Sequence, residues 1–197
     1  MLFDIDKLTS PTIYKLMSQT IIPRPIAWIV TKSKNSLNIA PFSYFMALSS
    51  NPATCIVSIG HKKDGSPKDT LKNIREQKVC TICMVEPKDL EKMHFSSKDL
   101  EYNVSEAKEF NIETKEIFKE YPPMIKSAPV AFFCTFNQEI NLGGKTVPVI
   151  LNIKNIYVND LIIKDKEKLL IEYKPLARVG KNYALIGEEL KAPIIPD

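Results

Sequence analysis

The sequence predicts a mainly β fold with short helices inserted between largely antiparallel strands, arranged as a small barrel or an α+β layer. Three observations carry this. Five or six runs are rich in β-branched and aromatic residues. Two of them are long and flank Gly143-Gly144, a strong hairpin signal. The helical patterns between the strands are short and amphipathic, too few for a helical bundle.

Taken in order, "PIAWIVTKS" (25–33) reads as the first strand and "KSKNSLN" (32–38) as a polar turn. "NIAPFSYFMALSSNP" (38–52) follows neither a helical nor a strand period and reads as an irregular, aromatic-rich loop. "ATCIVSIG" (53–60) is a second strand. In "HKKDGSPKDTLKNIREQK" (61–78), Asp64-Gly65 marks a turn, Ser66 suits an N-cap and Pro67 the first helical position. Leu71 and Ile74 give that helix its apolar face, ending near Lys78. "VCTICMVE" (79–86) is a strand, and "EPKDLEKMHFSS" (86–97) a further short helix. "NVSEAKEFN" (103–111) is a helical patch before the stop at "YPPM" (121–124). "APVAFFCTFNQEINL" (128–142) and "TVPVILNIKNIYVNDLII" (146–163) are the two long strands, and residues 183–186 a last strand-like patch.

The 197 residues suffice for a single domain, 1–197, with a substantial core. A net charge of +4 with dispersed lysines suits anionic ligands and falls short of a nucleic-acid signature. No apolar run reaches the roughly 18 residues of a membrane helix. "MLFDIDKLTS" carries acids where a signal peptide has bases, so no membrane association and a cytoplasmic location are expected. Cys80 and Cys83 form a C-x-x-C inside a predicted strand. Positions three apart there point to opposite faces about 10 Å apart, which suits neither a disulfide nor one metal. Buried, reduced cysteines and no metal are expected.

Two segments could carry chemistry. "SPKDTLKN" (66–73) opens a helix, where unpaired N–H groups and the dipole favour an anion. Lys68 adds a charge, Thr70 a donor, and Asn73 shares the face of Thr70. The same octapeptide also reads as an ordinary capped helix with a solvated lysine. The loop 38–52 has the apolar walls and polar edges that a flat heterocycle needs, yet equally suits an oligomer interface. His61 and His94 are the only histidines, and no P-loop, GxGxxG, HExxH or GxSxG motif occurs. Chemistry is therefore expected from a bound cofactor.

"PRPIAWIVTKSKNSLNIAPFSYFMALSSNP" (23–52), "DGSPKDTLKNI" (64–74), "SAPVAFFC" (127–134) and, more weakly, "PLARVGKNYALIG" (175–187) resemble the flavin reductase-like family. The resemblance implies an FMN-binding split β-barrel, antiparallel and Greek-key-like, forming a homodimer with FMN near the subunit interface. It implies that Asn38, Ala40, Pro41, Phe42 and Ser43 line the isoalloxazine and ribityl chain. Lys68, Asp69, Thr70 and Asn73 would hold the phosphate end, with Arg24 and Ser58 nearby. Asp69 repels phosphate, so ribityl hydroxyls or the orienting of Lys68 are its expected tasks. Arg24 could instead pair with an acid in the barrel. The sequence departs from the family pattern at Asn35 and Ser36, where a glycine is usual, at Leu151-Asn152, which replace Gly-Glu, and at Phe133, where an acid is frequent.

The expected function is NAD(P)H-dependent reduction of FMN with onward electron transfer, NADH or NADPH being the donor and the acceptor a free flavin, a ferric complex, an oxygenase partner or another redox protein. Backbone donors in 40–43 are the expected electrostatic groups, and no side chain is expected as acid or base. The alternative is an FMN-binding electron carrier or flavin store with no productive nicotinamide site.

Overall fold

A computed structural model describes residues 1–34 and 36–195. In chain order the elements are α1 (Ser10–Thr20), β1 (Arg24–Pro25), β2 (Ala27–Lys32), β3 (Leu37–Phe42), β4 (Phe45–Ser50), β5 (Ala53–Gly60), α2 (Asp69–Gln77) and β6 (Val79–Cys83). There follow α3 (Leu90–Phe95), α4 (Glu106–Glu109), β7 (Thr114–Lys115), β8 (Met124–Ile125), β9 (Val130–Glu139), β10 (Thr146–Val158), β11 (Ile163–Asp165), β12 (Leu170–Ile171), β13 (Leu176–Val179) and β14 (Asn182–Leu185).

Seven strands form the main sheet in the order β3-β2-β6-β9-β10-β5-β4, every neighbouring pair antiparallel. Its two edges, β3 and β4, are consecutive in the chain and only Ser43 and Tyr44 separate them. Laid flat, seven strands would hold these edges about 28 Å apart. The three Cα steps from Phe42 to Phe45 reach at most about 11 Å. The sheet therefore has to curl until its edges nearly meet, which makes a split barrel. Where they meet, Ser58 N–H donates to the Tyr44 carbonyl at 2.8 Å.

Alternation along β2 sends Ala27 and Ile29 to one core and Ile26, Trp28 and Val30 to another. The first core gathers residues from β2, β5, β6, β9 and β10, so it is the concave face, and α2 inserts Leu71 and Ile74 there. Each of these two burials contributes about 1.5–3 kcal/mol. The second core lies outside, under α3, α4 and β8. Cys80 and Cys83 fall on opposite cores, as the strand period requires, and all four cysteines are free and buried. Burial pushes the Cys83 thiol up to about 12, so it stays protonated and inert.

The structure corrects four expectations. Residues 38–52 are two strands joined at a corner, not a loop: β3 is an edge strand, and Pro41 is tolerated there because an edge leaves alternate N–H groups outside the ladder. Helix α2 begins at Asp69 with Lys68 as its N-cap, not at Ser66 and Pro67. Ser66 instead closes a turn onto Asp64 through its N–H and hydroxyl, and Pro67 bridges to His61. The helix α1 was not foreseen. The strands are more numerous than five or six, and the two long ones are shorter than expected, at Val130–Glu139 and Thr146–Val158. The substitution at Asn35 lies outside the described residues, while Ser36 donates its N–H to Ser33 Oγ at 3.0 Å. Leu151 and Phe133, the other departures, are core residues.

Candidate functional site

The corner between β3 and β4 opens onto a groove that runs to the start of α2. Its wider part, about 350 Å³, is lined by Pro41, Phe42, Ser43, Tyr44, Ser58 and Lys68, together with Tyr14, His94, Arg178 and Tyr183. The narrower part, about 50 Å³, continues along Asn38, Ala40, Lys68, Asp69 and Thr70 and is closed by the loop after α3. Pro41, Phe42, Lys68 and Ser97 line both parts, so the two are one groove.

Strand parity fixes what β3 offers. Ile39 N–H points away from β2, since it donates to Glu106 Oε2 at 2.9 Å. Two residues on, Pro41 lies on the same outward side, where its missing N–H costs the ladder nothing. Ala40 and Phe42 consequently turn their N–H groups toward β2. The expected run of backbone donors in 40–43 thus shrinks to Ser43, with the Pro41 carbonyl as an acceptor.

Asn38, Thr70 and Asn73 are brought together in a buried network, of which Asn38 and Thr70 also line the narrow part of the groove. Asn38 Nδ2 donates to Thr31 Oγ1 (3.1 Å) and Thr70 Oγ1 (2.8 Å). Asn73 Nδ2 donates to the same Thr31 oxygen (3.0 Å) and its Oδ1 accepts from Tyr102 OH (2.8 Å). Asn73 lines neither part of the groove; it anchors α2 to β2 behind the wall.

At the helix start the ion pairs differ from expectation. Asp69 pairs with Lys62 at 2.6 Å, and Lys68 leans toward Asp99 at 3.7 Å, so Asp69 orients Lys62 and not Lys68. Among the described residues no side chain caps the first turn of α2. Arg24 is buried and, among the described residues, meets carbonyls in place of an acid: Ser18 and Ile21 at the end of α1, and Gly180. Its Nε reaches Ser43 Oγ at 3.4 Å, so it braces the corner from behind.

Tyr44 stacks on Tyr14 with ring centroids 5.9 Å apart, and its hydroxyl is buried with no hydrogen-bond partner among the described residues. Burial raises its pKa, Tyr14 adds to this and Arg24 opposes it. Opposite, His94 Nδ1 and Tyr183 OH lie 2.9 Å apart and Arg178 sits 4.5 Å from the Tyr183 ring centroid. Sequence reasoning missed Tyr14, Lys62, His94, Ser97 and Asp99. Arg178 and Tyr183 lie in the weakly matching segment 175–187, the one signal that pointed to them. Among the described residues no three His, Cys, Asp or Glu side chains are placed to hold a metal.

An antiparallel sheet curled until its edges nearly meet at the corner between β3 and β4 is a split barrel. A family model described as the flavin reductase like domain matches residues 17–176, and the chain belongs to that family. An uncharacterized protein of Aquifex aeolicus is 32% identical over 192 residues, 92% of this chain and 93% of that protein. The structure is similar to nitrilotriacetate monooxygenase component B from Bacillus cereus, with TM-score 0.88, 27% identity and 98% of each chain covered. It shares the fold of a putative flavin reductase with a split barrel domain from Shewanella frigidimarina, with TM-score 0.79, 18% identity, and 99% and 100% of the two chains covered.

Proposed function

We propose that this protein is an FMN-dependent oxidoreductase that takes hydride from NADH or NADPH and passes the electrons onward. One observation carries the reading: a single groove offers an aromatic, polar-edged corner at one end and, at the other, the first turn of α2 with Lys68 beside it. The volume of the wider part lies within the range of about 300–1,000 Å³ typical of small-molecule sites. The residues suit a flat heterocycle with a phosphorylated tail. The orphaned Tyr44 hydroxyl in the corner wall is a donor awaiting an acceptor, and Lys68 with the first turn of α2 suits a phosphate.

When bound, FMN supplies the two-electron redox chemistry. The chain's task is to hold and polarise it. Phe42 and Pro41 form the apolar wall, and Ser43 and Ser58 offer donors at the corner. Tyr44 stays protonated because its pKa is raised, so it donates a hydrogen bond that gains strength as negative charge develops on its acceptor. Lys68 and the amides of the first turn hold the phosphate, and Thr70 contributes a hydroxyl at the narrow end. Asn38 lines the narrow end and Asn73 stands behind it, and both brace this wall through Thr31. Asp69 holds Lys62 at the rim, and Arg24 fixes Ser43.

The reading includes a homodimer. Met46 and Leu48 are 60% and 49% exposed on the edge strand β4, beside the groove; an unpartnered apolar edge is a surface that proteins cover. The likeness to a monooxygenase component supports a protein partner as electron acceptor. The testing experiment is anaerobic mixing of the FMN-loaded protein with NADH or NADPH. Rapid bleaching of the flavin is expected; persistent colour with both donors refutes the reductase and leaves a carrier.

A further inference from the structure

A second cavity of about 600 Å³ adjoins the groove, walled by α1 on one side and the β13–β14 turn on the other. Tyr14 and Arg178 line both spaces, so one extended ligand can pass from the groove into the cavity.

Its charge is one-sided. Lys15, Arg178 and Lys181 line it and, among the described residues, no carboxylate does. None of the three is in an ion pair among the described residues. Arg178 donates Nε–H to the Gly180 carbonyl at 3.2 Å and lies against the Tyr183 ring, contacts that orient its guanidinium without neutralising it. The carbonyls ending α1 would oppose an anion through the helix dipole. Two of them, from Ser18 and Ile21, are taken by Arg24, and the Gly180 N–H also donates to Ser18. The narrow end of the groove differs, since Lys62 and Lys68 there face Asp69 and Asp99.

We infer that this cavity takes the phosphorylated adenosine end of the hydride donor and selects NADPH over NADH through the additional 2′-phosphate. The inference rests on reading the groove as a flavin site reduced by a nicotinamide donor. Its chemistry is ordinary: a phosphate near two charges negative meets three unpaired cations, one of them a planar guanidinium suited to bidentate contact.

The test is calorimetric titration of the protein, with and without FMN, using adenosine 2′,5′-bisphosphate, 5′-AMP and inorganic phosphate. The bisphosphate is expected to bind about tenfold or more tighter than 5′-AMP and not to displace FMN. The doubly substituted Lys15→Ala, Lys181→Ala protein should lose most of that difference while its FMN affinity, read by fluorescence quenching, and its thermal melt persist. Equal binding of bisphosphate and 5′-AMP, binding unchanged by the substitutions, displacement by FMN, no binding, or phosphate matching the bisphosphate each overturn the inference. Failure to bind FMN, by contrast, refutes the groove reading and is read separately from the nucleotide titration.

Discussion

Thr31→Val tests the polar network on which the groove wall depends. Valine keeps the volume and removes the hydroxyl oxygen that accepts from both Asn38 and Asn73 at 3.1 and 3.0 Å. Thr31 is fully buried, so the two N–H donors lose their partner in a place water does not reach. An unsatisfied buried donor costs about 1–3 kcal/mol, or about 2–6 kcal/mol for two. A chain of this length loses about 2–4 °C of Tm per kcal/mol, so a loss of about 3 kcal/mol lowers Tm by about 6–12 °C. Thermal and urea unfolding of the two proteins measure this. Tyr102→Phe serves as the contrast: it leaves a single acceptor, Asn73 Oδ1, without its partner and should cost about 1–3 kcal/mol, less than Thr31→Val. A loss below about 1 kcal/mol for Thr31→Val would refute the view that this network holds α2 against β2 and β3.

Three further predictions concern the groove. Lys68→Ala should weaken FMN about 10- to 100-fold, the size of a charge-assisted hydrogen bond, and riboflavin far less; equal losses in fluorescence titrations of the two ligands contradict a phosphate role. Tyr44→Phe removes a buried hydroxyl without a partner, so the ligand-free protein should melt at the same temperature or higher while FMN affinity falls, and a drop in the ligand-free Tm would show that the hydroxyl is already satisfied. Burial raises the Glu106 pKa, opposed by the Ile39 N–H; between its unfolded and folded values the folded state binds more protons, so stability falls as pH rises through that window. Glu106→Gln, whose carbonyl can still accept from Ile39, should therefore gain stability relative to the native protein as pH goes from about 4 to 7, and a difference that does not vary with pH in urea titrations would contradict the assignment. For the proposed dimer, Met46→Asp with Leu48→Asp should give a monomer in sedimentation, and an unchanged mass places the interface elsewhere.

Where β-branched and small apolar residues cluster, burying one face of β5 and nearly all of β6, the sequence was readable: β5 runs from Ala53 to Gly60 as its composition indicated, and the C-x-x-C divided between two cores. Residues 38–52 misled because β3 has one face on the core and the other on the groove, while β4 is mostly exposed, so neither shows the alternation of a half-buried strand. Helix α1 buries only Ser18, and its anchor, Gly180, lies far along the chain, so no local pattern reveals it. The start of α2 was displaced because Asp64 captures Ser66, a side-chain bond that competes with helix capping. Thr70 and Asn73 do share a helical face, but that face turns inward to Thr31. Lys68 and the corner residues were legible because their chemistry is carried by residue type; Tyr14, His94 and Arg178 were not, since only the folded chain brings them across the groove.

A crystal structure of the protein grown with FMN would decide whether the groove from Ser43 to Lys68 holds the flavin. Ring density is expected against Phe42, with an acceptor atom within hydrogen-bond distance of Tyr44 Oη, and the phosphate at Lys68 and the first turn of α2. Flavin density in the cavity beside α1, with the groove unfilled, would contradict that placement.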